Sequence, residues 1–182
     1  KFTQMELKLL NKPLNCSELL NLIKFLLNFK KKILLNMINK CEIIKSEILF
    51  LLDISYNITT DNYKYIGNTW IKLNNIKQII HQSEDMLSYE RNEMEKQLQI
   101  QCDTLINNAT INNDHVIHLQ TFTDIKKVSQ YIIEITRLKT QLQEYKHEAI
   151  DIHRQQEILD ITESDFDIID ITLVLITPYE QL

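Results

Sequence analysis

The sequence predicts an all-α fold: an elongated helical bundle of four to five long helices joined by short loops. Glycine occurs once in 182 residues, at Gly67, and proline twice, at Pro13 and Pro178. These are too few to punctuate a β-sandwich or an α/β fold. Apolar residues recur at intervals of three and four along most of the chain, which keeps them on one face of a helix. The sequence divides into an N-terminal helical segment over residues 1–56, a central long helix over 57–113 and a helix pair over 114–182.

The N-terminal segment reads as a bundle helix. Asn15 or Ser17 can cap its start, and Glu18 then lies in the first turn, where a negative charge is favourable. A membrane span is the alternative, but Lys24 and the Lys30–Lys32 cluster interrupt the apolar run before it approaches the roughly 18 residues that a span requires. No small-residue motif for signal cleavage is present either. The predicted buried stripe consists of Leu19, Ile23, Leu26, Ile33, Met37, Cys41, Ile44, Ile48 and Leu51.

The central segment begins after a lapse in the pattern between Asn57 and Asn68. Thr59–Asn62 reads as a loop with a cap for the next helix. The asparagine pairs Asn107-Asn108 and Asn112-Asn113 predict the following break. Between the two lies a stripe made of Trp70, Leu73, Ile76, Ile80, Leu87, Met94, Leu98, Cys102 and Leu105.

The C-terminal pair is predicted as one helix from Val116 to Asp160, a turn over Thr162–Asp165, and a final helix. Ser164 can cap that last helix, with Asp167 three residues later in a near capping-box arrangement. A strict heptad in the long helix would place Lys139 and Lys146 in the seam, so its stripe drifts. The drift favours packing in a bundle over a two-stranded coiled coil. The stripe consists of Ile125, Val128, Ile132, Ile135, Leu138, Leu142, Tyr145, Ala149 and Ile152.

Charge is unevenly distributed. Residues 1–50 carry nine lysines and four glutamates, whereas the whole chain has a net charge of −5. A nucleic-acid-binding protein usually shows arginine-rich patches or interleaved stacking aromatics. Arginine is absent from this basic third, so the lysines are interpreted as a solvated helix face. We therefore expect neither nucleic acid nor a membrane among the partners.

Sulfur and histidine chemistry gives little support for a metal site. Cys16, Cys41 and Cys102 are odd in number, far apart and on apolar stripes, which predicts reduced core thiols. His115 and His118 are three residues apart and could share one helix face. No second ligand pair with matching spacing accompanies them, so no metal is expected.

Catalytic patterns are equally weak. Glu144 and His147 form one Glu-x-x-His, the unit that di-iron bundles use twice, but a second copy is missing. His147-Glu148 would begin a zinc-protease helix, yet position 151 is Asp rather than the second His. With a single glycine no phosphate-cradling loop of the GxxxxGK[ST] type is possible. We predict no catalytic residue, no cofactor and no metal site in this chain.

The last fifty residues carry a family resemblance. Thr162-Glu163-Ser164-Asp165-Phe166 precedes a helix that closes on Pro178-Tyr179-Glu180-Gln181-Leu182, and the phrases Arg137–Lys139, His147–Ile150 and Gln156–Leu159 come before it. This arrangement resembles the stem of an axonemal-type dynein heavy chain where it approaches the linker. The family often has a Gly-Leu dipeptide where this chain has Asp160-Ile161, and often a Gly-Pro near residue 110. In the family the closing motif continues with a Trp after the residue that corresponds to Leu182.

The resemblance implies a mechanical role without catalysis. The segment would transmit force between the tail and the AAA+ ring of a minus-end-directed microtubule motor, which hydrolyses ATP elsewhere in the protein. Expected partners are other stem segments, intermediate or light chains and neighbouring heavy chains, with microtubule contact only through distant domains. The expected location is the cytoplasm and cytoskeleton, in the axoneme of a cilium or flagellum. The alternative is a generic helical-bundle or coiled-coil scaffold or adaptor. Because the chain opens with Lys1, an excerpt of a longer protein is expected.

Overall fold

The computed structural model describes residues 2–119 and 128–181. Within these ranges the chain forms helices and no strand, which confirms the all-α prediction. A π-helical segment, Phe29–Leu34, joins the second helix to the third, and a 3₁₀ turn, Thr177–Gln181, follows the sixth. The α-helices are α1 (Phe2–Leu9), α2 (Cys16–Asn28), α3 (Leu35–Asp53), α4 (Thr60–Leu119), α5 (Val128–Leu159) and α6 (Asp167–Ile176).

The chain divides into two compact units, residues 1–92 and 93–182, and the division falls within α4. The first unit contains α1, α2, α3 and the N-terminal part of α4. The second contains the remainder of α4, then α5 and α6. The three segments expected from the sequence have different boundaries and stay a prediction.

The start of α2 confirms one predicted cap. Asn15 is the N-cap, and its Oδ1 accepts a hydrogen bond from the backbone N–H of Glu18 at 2.9 Å. The Glu18 carboxylate in turn accepts from the N–H of Leu14 at 2.9 Å. Ser17 lies inside the helix instead. One N–H of the first turn and one N–H just before the N-cap are thus both satisfied by side chains at this helix start.

The π-helical segment explains how the N-terminal stripe continues. Successive core positions from Phe29 are four residues apart, at Ile33, Met37 and Cys41. In a regular α-helix each such step would rotate the stripe by about 40°. A π-helical turn holds more residues and absorbs part of that rotation. Even so, the stripe is only partly buried. Leu19, Leu26, Phe29 and Cys41 are buried, Ile44 is exposed, and Ile23, Ile33, Met37, Ile48 and Leu51 are intermediate.

Only Thr59 of the predicted loop Thr59–Asn62 precedes the helix, because α4 already begins at Thr60. Thr59 initiates it: its Oγ1 accepts from the N–H of Asn62 at 3.4 Å, and its carbonyl accepts from the N–H of Tyr63 at 3.1 Å. The apolar pattern lapses here because the first turns of α4 are largely exposed, and an exposed helix surface needs no apolar residues.

The break predicted at the asparagine pairs is wrong, since α4 continues through Asn107–Asn113 to Leu119. Leu105, Ala109 and Val116 are at most 2% exposed and stand at helical spacing across the asparagines. Packing of this face outweighs the weak helix propensity of Asn. Val116 therefore lies in α4, and the described part of the predicted C-terminal helix that belongs to α5 is Val128–Leu159. Ile125, Lys126, Lys127 and Leu182 lie outside the described residues.

Candidate functional site

The segment Ile161–Phe166, named here the α5–α6 turn, is the part of the resemblance that the structure describes in most detail. It begins where α5 ends at Leu159 and Asp160 takes a φ of 55°, in the left-handed region. The N–H of Ile161 then bonds to the carbonyl of Gln156 at 3.1 Å. This six-to-one hydrogen bond across a left-handed residue is the Schellman ending of a helix, which reverses the chain direction.

The predicted cap of α6 is wrong in its residue. Phe166 occupies the N-cap position, and its carbonyl accepts from the N–H of Ile169 at 3.0 Å. The Asp165 side chain accepts from the N–H of Asp167 at 2.8 Å. Asp165 therefore satisfies the donor that Ser164 was expected to reach, because Ser164 is engaged elsewhere.

Ser164 belongs to a cluster with Gln156 and Cys102, named here the Gln156 cluster. The Gln156 amide donates to the Ser164 hydroxyl at 2.8 Å, and the Ser164 N–H donates to the Gln156 Oε1 at 3.1 Å. Cys102 Sγ lies 3.6 Å from the Gln156 Nε2 and 3.4 Å from the Ser164 Oγ. Gln156 is 2% exposed and Cys102 1%. A buried amide with its donor and acceptor both satisfied holds the turn in one position.

The backbone carbonyl of Ser164 is held by a second side chain, His153. The Nε2 of His153 lies 2.8 Å from the Ser164 carbonyl, as a hydrogen bond. The His153 ring also packs against Phe166, with ring centroids 5.1 Å apart. Phe166 is buried, at 8% exposed. Each residue of the Ser-Asp-Phe motif therefore has its own structural role. Ser164 hydrogen-bonds to Gln156, Asp165 accepts from the first turn of α6, and Phe166 is buried.

A cavity of about 210 Å³ opens between α5 and α6 beside the turn. A 2.6 Å ion pair between Lys146 and Asp170 lies at its edge. Both side chains are more than half exposed, so the pair contributes little to stability. Ala149, Ile150, His153, Phe166, Asp167 and Ile169 complete the lining.

The residue pairs weighed for metal or catalytic chemistry do not assemble. Glu144, His147, His115 and His118 are exposed on their helices, as are Glu148 and Asp151. Within residues 2–119 and 128–181, no group of three or more His, Cys, Asp and Glu side chains could hold a metal ion. The three cysteines are buried thiols, as predicted, and burial raises the pKa of the Cys16 thiol. At Cys16 the raised pKa disfavours the reactive thiolate.

Two lysines of the basic third form ion pairs with acids of α4. Lys12 forms a 2.9 Å ion pair with Glu90, whose side chain is 11% exposed, and this pairing raises the pKa of Lys12. Lys30 pairs with Glu84. These contacts tie α2 and its neighbours to α4 within the first unit. For the described residues, no helix has both the length and the apolar character that a membrane span requires.

A second concave region lies in the first unit, between α3 and the start of α4. One cavity of about 130 Å³ is lined by Cys41, Ile44, Tyr65, Ile66, Thr69 and Trp70. Another, of about 440 Å³, is lined by Glu42, Lys45, Ile48, Leu49, Ile66 and Trp70. The sequence patterns did not predict this region. The sequence features that could have indicated it are the single Trp70 and the single Gly67, three residues apart on α4.

Comparison with protein-family models, with curated proteins and with solved structures gave no match.

Proposed function

We propose that this chain is a non-catalytic stem segment of a dynein heavy chain, next to the linker, in a minus-end-directed microtubule motor. The observation that carries the proposal is the α5–α6 turn. The residues of the Ser164-Asp165-Phe166 phrase, on which the resemblance depends, each have a defined structural task there. Because each residue of this motif has a structural role, the same residues are expected to recur at the same helix junction.

Asp160 adds support through a departure from the family pattern. The family often has a glycine where this chain has Asp160. Asp160 adopts a φ of 55°, a conformation that glycine takes without steric cost. The family's preference and the backbone of this turn are therefore compatible.

The packing of the second unit suits force transmission. Leu138, Leu142, Ile152, Ile169 and Ile176 are all at most 2% exposed. Close-packed interiors have low compressibility, so helices joined in this way deform little under load. The segment would pass force between the tail and the AAA+ ring, whose distant domains make the microtubule contact and hydrolyse ATP. The corresponding location would be cytoplasmic and cytoskeletal, in an axoneme.

A generic helical scaffold or adaptor is the second candidate. The α3 helix and the start of α4 favour it, because Ile43, Leu49, Phe50 and Tyr65 are each more than half exposed. Apolar positions of this kind mark surfaces for partner helices. In the stem, the same surface would contact other stem segments or accessory chains.

Sequencing the parent transcript downstream of the codon for Leu182 separates the two candidates. A Trp codon next, then a linker and several GxxxxGK[ST] loops, is the expected result for a dynein heavy chain. A stop codon or an unrelated domain within the next hundred codons would contradict the motor proposal and leave the scaffold.

A further inference from the structure

Two helical segments of this chain carry opposite charges on their exposed surfaces. Residues 1–34 contain seven lysines and two glutamates, whereas residues 160–176 contain five acids and neither lysine nor arginine. Each of the two segments also exposes large apolar side chains. A helix surface that only faces water does not need such side chains, so both segments have the composition of a contact surface.

The basic surface runs along the end of α2 and across the π-helical segment. Its two lysines are exposed, and they alternate with leucines that are 51% and 54% exposed. A π-helical turn contains more residues than an α-helical one, so side chains four residues apart stay in line across it. We name this surface the Lys31 face, and it consists of Lys24, Leu27, Lys31 and Leu35.

The acidic surface lies on α6. Its four residues follow one another at steps of three, one and three, which places them on one side of the helix. We name it the Asp167 face, and it consists of Asp167, Asp170, Ile171 and Val174, all exposed. Asp170 also pairs with Lys146, but both side chains are more than half exposed, so this carboxylate can accept a second cation.

We propose that the Asp167 face of one copy of this chain docks on the Lys31 face of a second copy. Each face combines two charges of one sign with two large apolar side chains, so the two faces complement each other. Neither face fits itself, because lysine would meet lysine and aspartate would meet aspartate. The contact is therefore heterologous, joining two different surfaces at every junction, and it produces rings or growing chains.

A second copy is favoured over other occupants because the chain itself presents the complementary surface. An occupant of the Lys31 face has to supply negative charge next to apolar side chains, and the Asp167 face has both. An anionic lipid surface would satisfy the lysines of the Lys31 face but would repel the aspartates of the Asp167 face. A second copy covers both faces through one kind of contact.

The first test is sedimentation velocity of the 182-residue chain at concentrations from about 1 to 100 µM, in about 50 mM and about 500 mM salt. In low salt we expect the mean mass to rise with concentration above the 21.7 kDa of one copy. In high salt the mass should return towards that of one copy, because added ions screen the contact. A monomer at every concentration in low salt, or association that salt does not change, would overturn the proposal.

Charge reversal on either face tests which surfaces meet. Lys31→Glu and Asp167→Lys should each weaken association about tenfold or more, since like charges would then face each other. Lys72→Glu and Asp151→Lys are the matched controls. They make the same changes of charge at exposed positions of α4 and α5 outside both faces, and they should associate like the wild type. Equal weakening in the controls would show that net charge rather than the two faces matters, and would refute the assignment.

Mixing the two weakened variants tests the pairing without relying on loss of association alone. In an equimolar mixture, the unchanged Asp167 face of Lys31→Glu can dock on the unchanged Lys31 face of Asp167→Lys. We expect the mixture to regain the association that each variant has lost. A mixture that sediments as the sum of the separate variants would contradict the pairing. Binding of the chain to vesicles of an anionic phospholipid, without any self-association, would assign the Lys31 face to a membrane and overturn the proposal.

Discussion

The helices α5 and α3 have similar apolar spacing but very different burial. In the second unit, Leu138, Leu142 and Ile152 are 2%, 0% and 2% exposed. On α3, Ile44 is 39% exposed and Leu49 53%. Three- and four-residue spacing defines a helix face, but the number of helices around that face determines its burial. The apolar face of α5 is therefore packed, whereas that of α3 is partly exposed.

The largest difference in stability between the two regions should come from placing one charge in the stripe of α5 and one in the stripe of α3. Leu142→Asp buries an unpaired carboxylate and should lower the free energy of unfolding by about 3–5 kcal/mol. Ile44→Asp lies at an exposed position and should cost about 1 kcal/mol or less. Thermal or urea unfolding of both variants measures the difference. Leu138→Asp should resemble Leu142→Asp, and unchanged stability in either would refute the stripe assignment in α5.

The Gln156 cluster should give the next largest effect. Gln156→Leu leaves the Ser164 N–H without its acceptor and should destabilise the chain by about 1–3 kcal/mol. Amide exchange at Ser164 should accelerate in the same variant. Gln143→Leu, at an exposed position of the same helix, is the control and should change neither quantity. If the Ser164 amide in Gln156→Leu exchanges as slowly as in the wild type, the hydrogen bonds of Gln156 are not what holds the turn in place.

Both regions contain a helix that ends on a left-handed residue other than glycine, which gives a matched pair of stabilising substitutions. Ser55 ends α3 with a φ of 57°, and Asp160 ends α5 with a φ of 55°. Asp160→Gly and Ser55→Gly should each raise the free energy of unfolding by up to about 1 kcal/mol, since glycine avoids the Cβ clash. Chemical denaturation measures the gain. A loss in both variants would mean that side-chain contacts outweigh backbone strain.

The smallest effect concerns the Lys12–Glu90 pair, whose lysine is exposed. The pairing raises the pKa of Lys12, so its stabilising contribution is fully present below the unfolded-state pKa. The contribution is lost as the pH rises through the folded-state pKa. The stability difference between wild type and Lys12→Gln should therefore shrink at strongly alkaline pH. Lys72→Gln, at an exposed position of α4, should show no such trend.

Particular residues show how far sequence reasoning reached. Asn15 was one of two residues predicted as the cap of α2 and is the cap, because a cap depends on a few adjacent residues whose hydrogen bonds are local. Asn107–Asn113 were predicted as a break and are helical, because the burial of Leu105, Ala109 and Val116 is not local information. Ser164 was placed correctly in a turn, but its partner Cys102 is 62 residues away in the chain.

The sequence by itself determined the helical class, the buried thiols and the apolar stripes, and it limited the cap of α2 to Asn15 or Ser17. All of these follow from composition and from interactions within a few residues. Only the tertiary structure decided where α4 starts, that it continues through Asn107–Asn113, which residue starts α6, and that Gln156 holds the turn. It also decided that the stripe of α5 is buried from Ile135 to Ile152 except at Tyr145, while that of α3 remains partly open. Burial depends on which helices meet, and no short-range pattern encodes that choice.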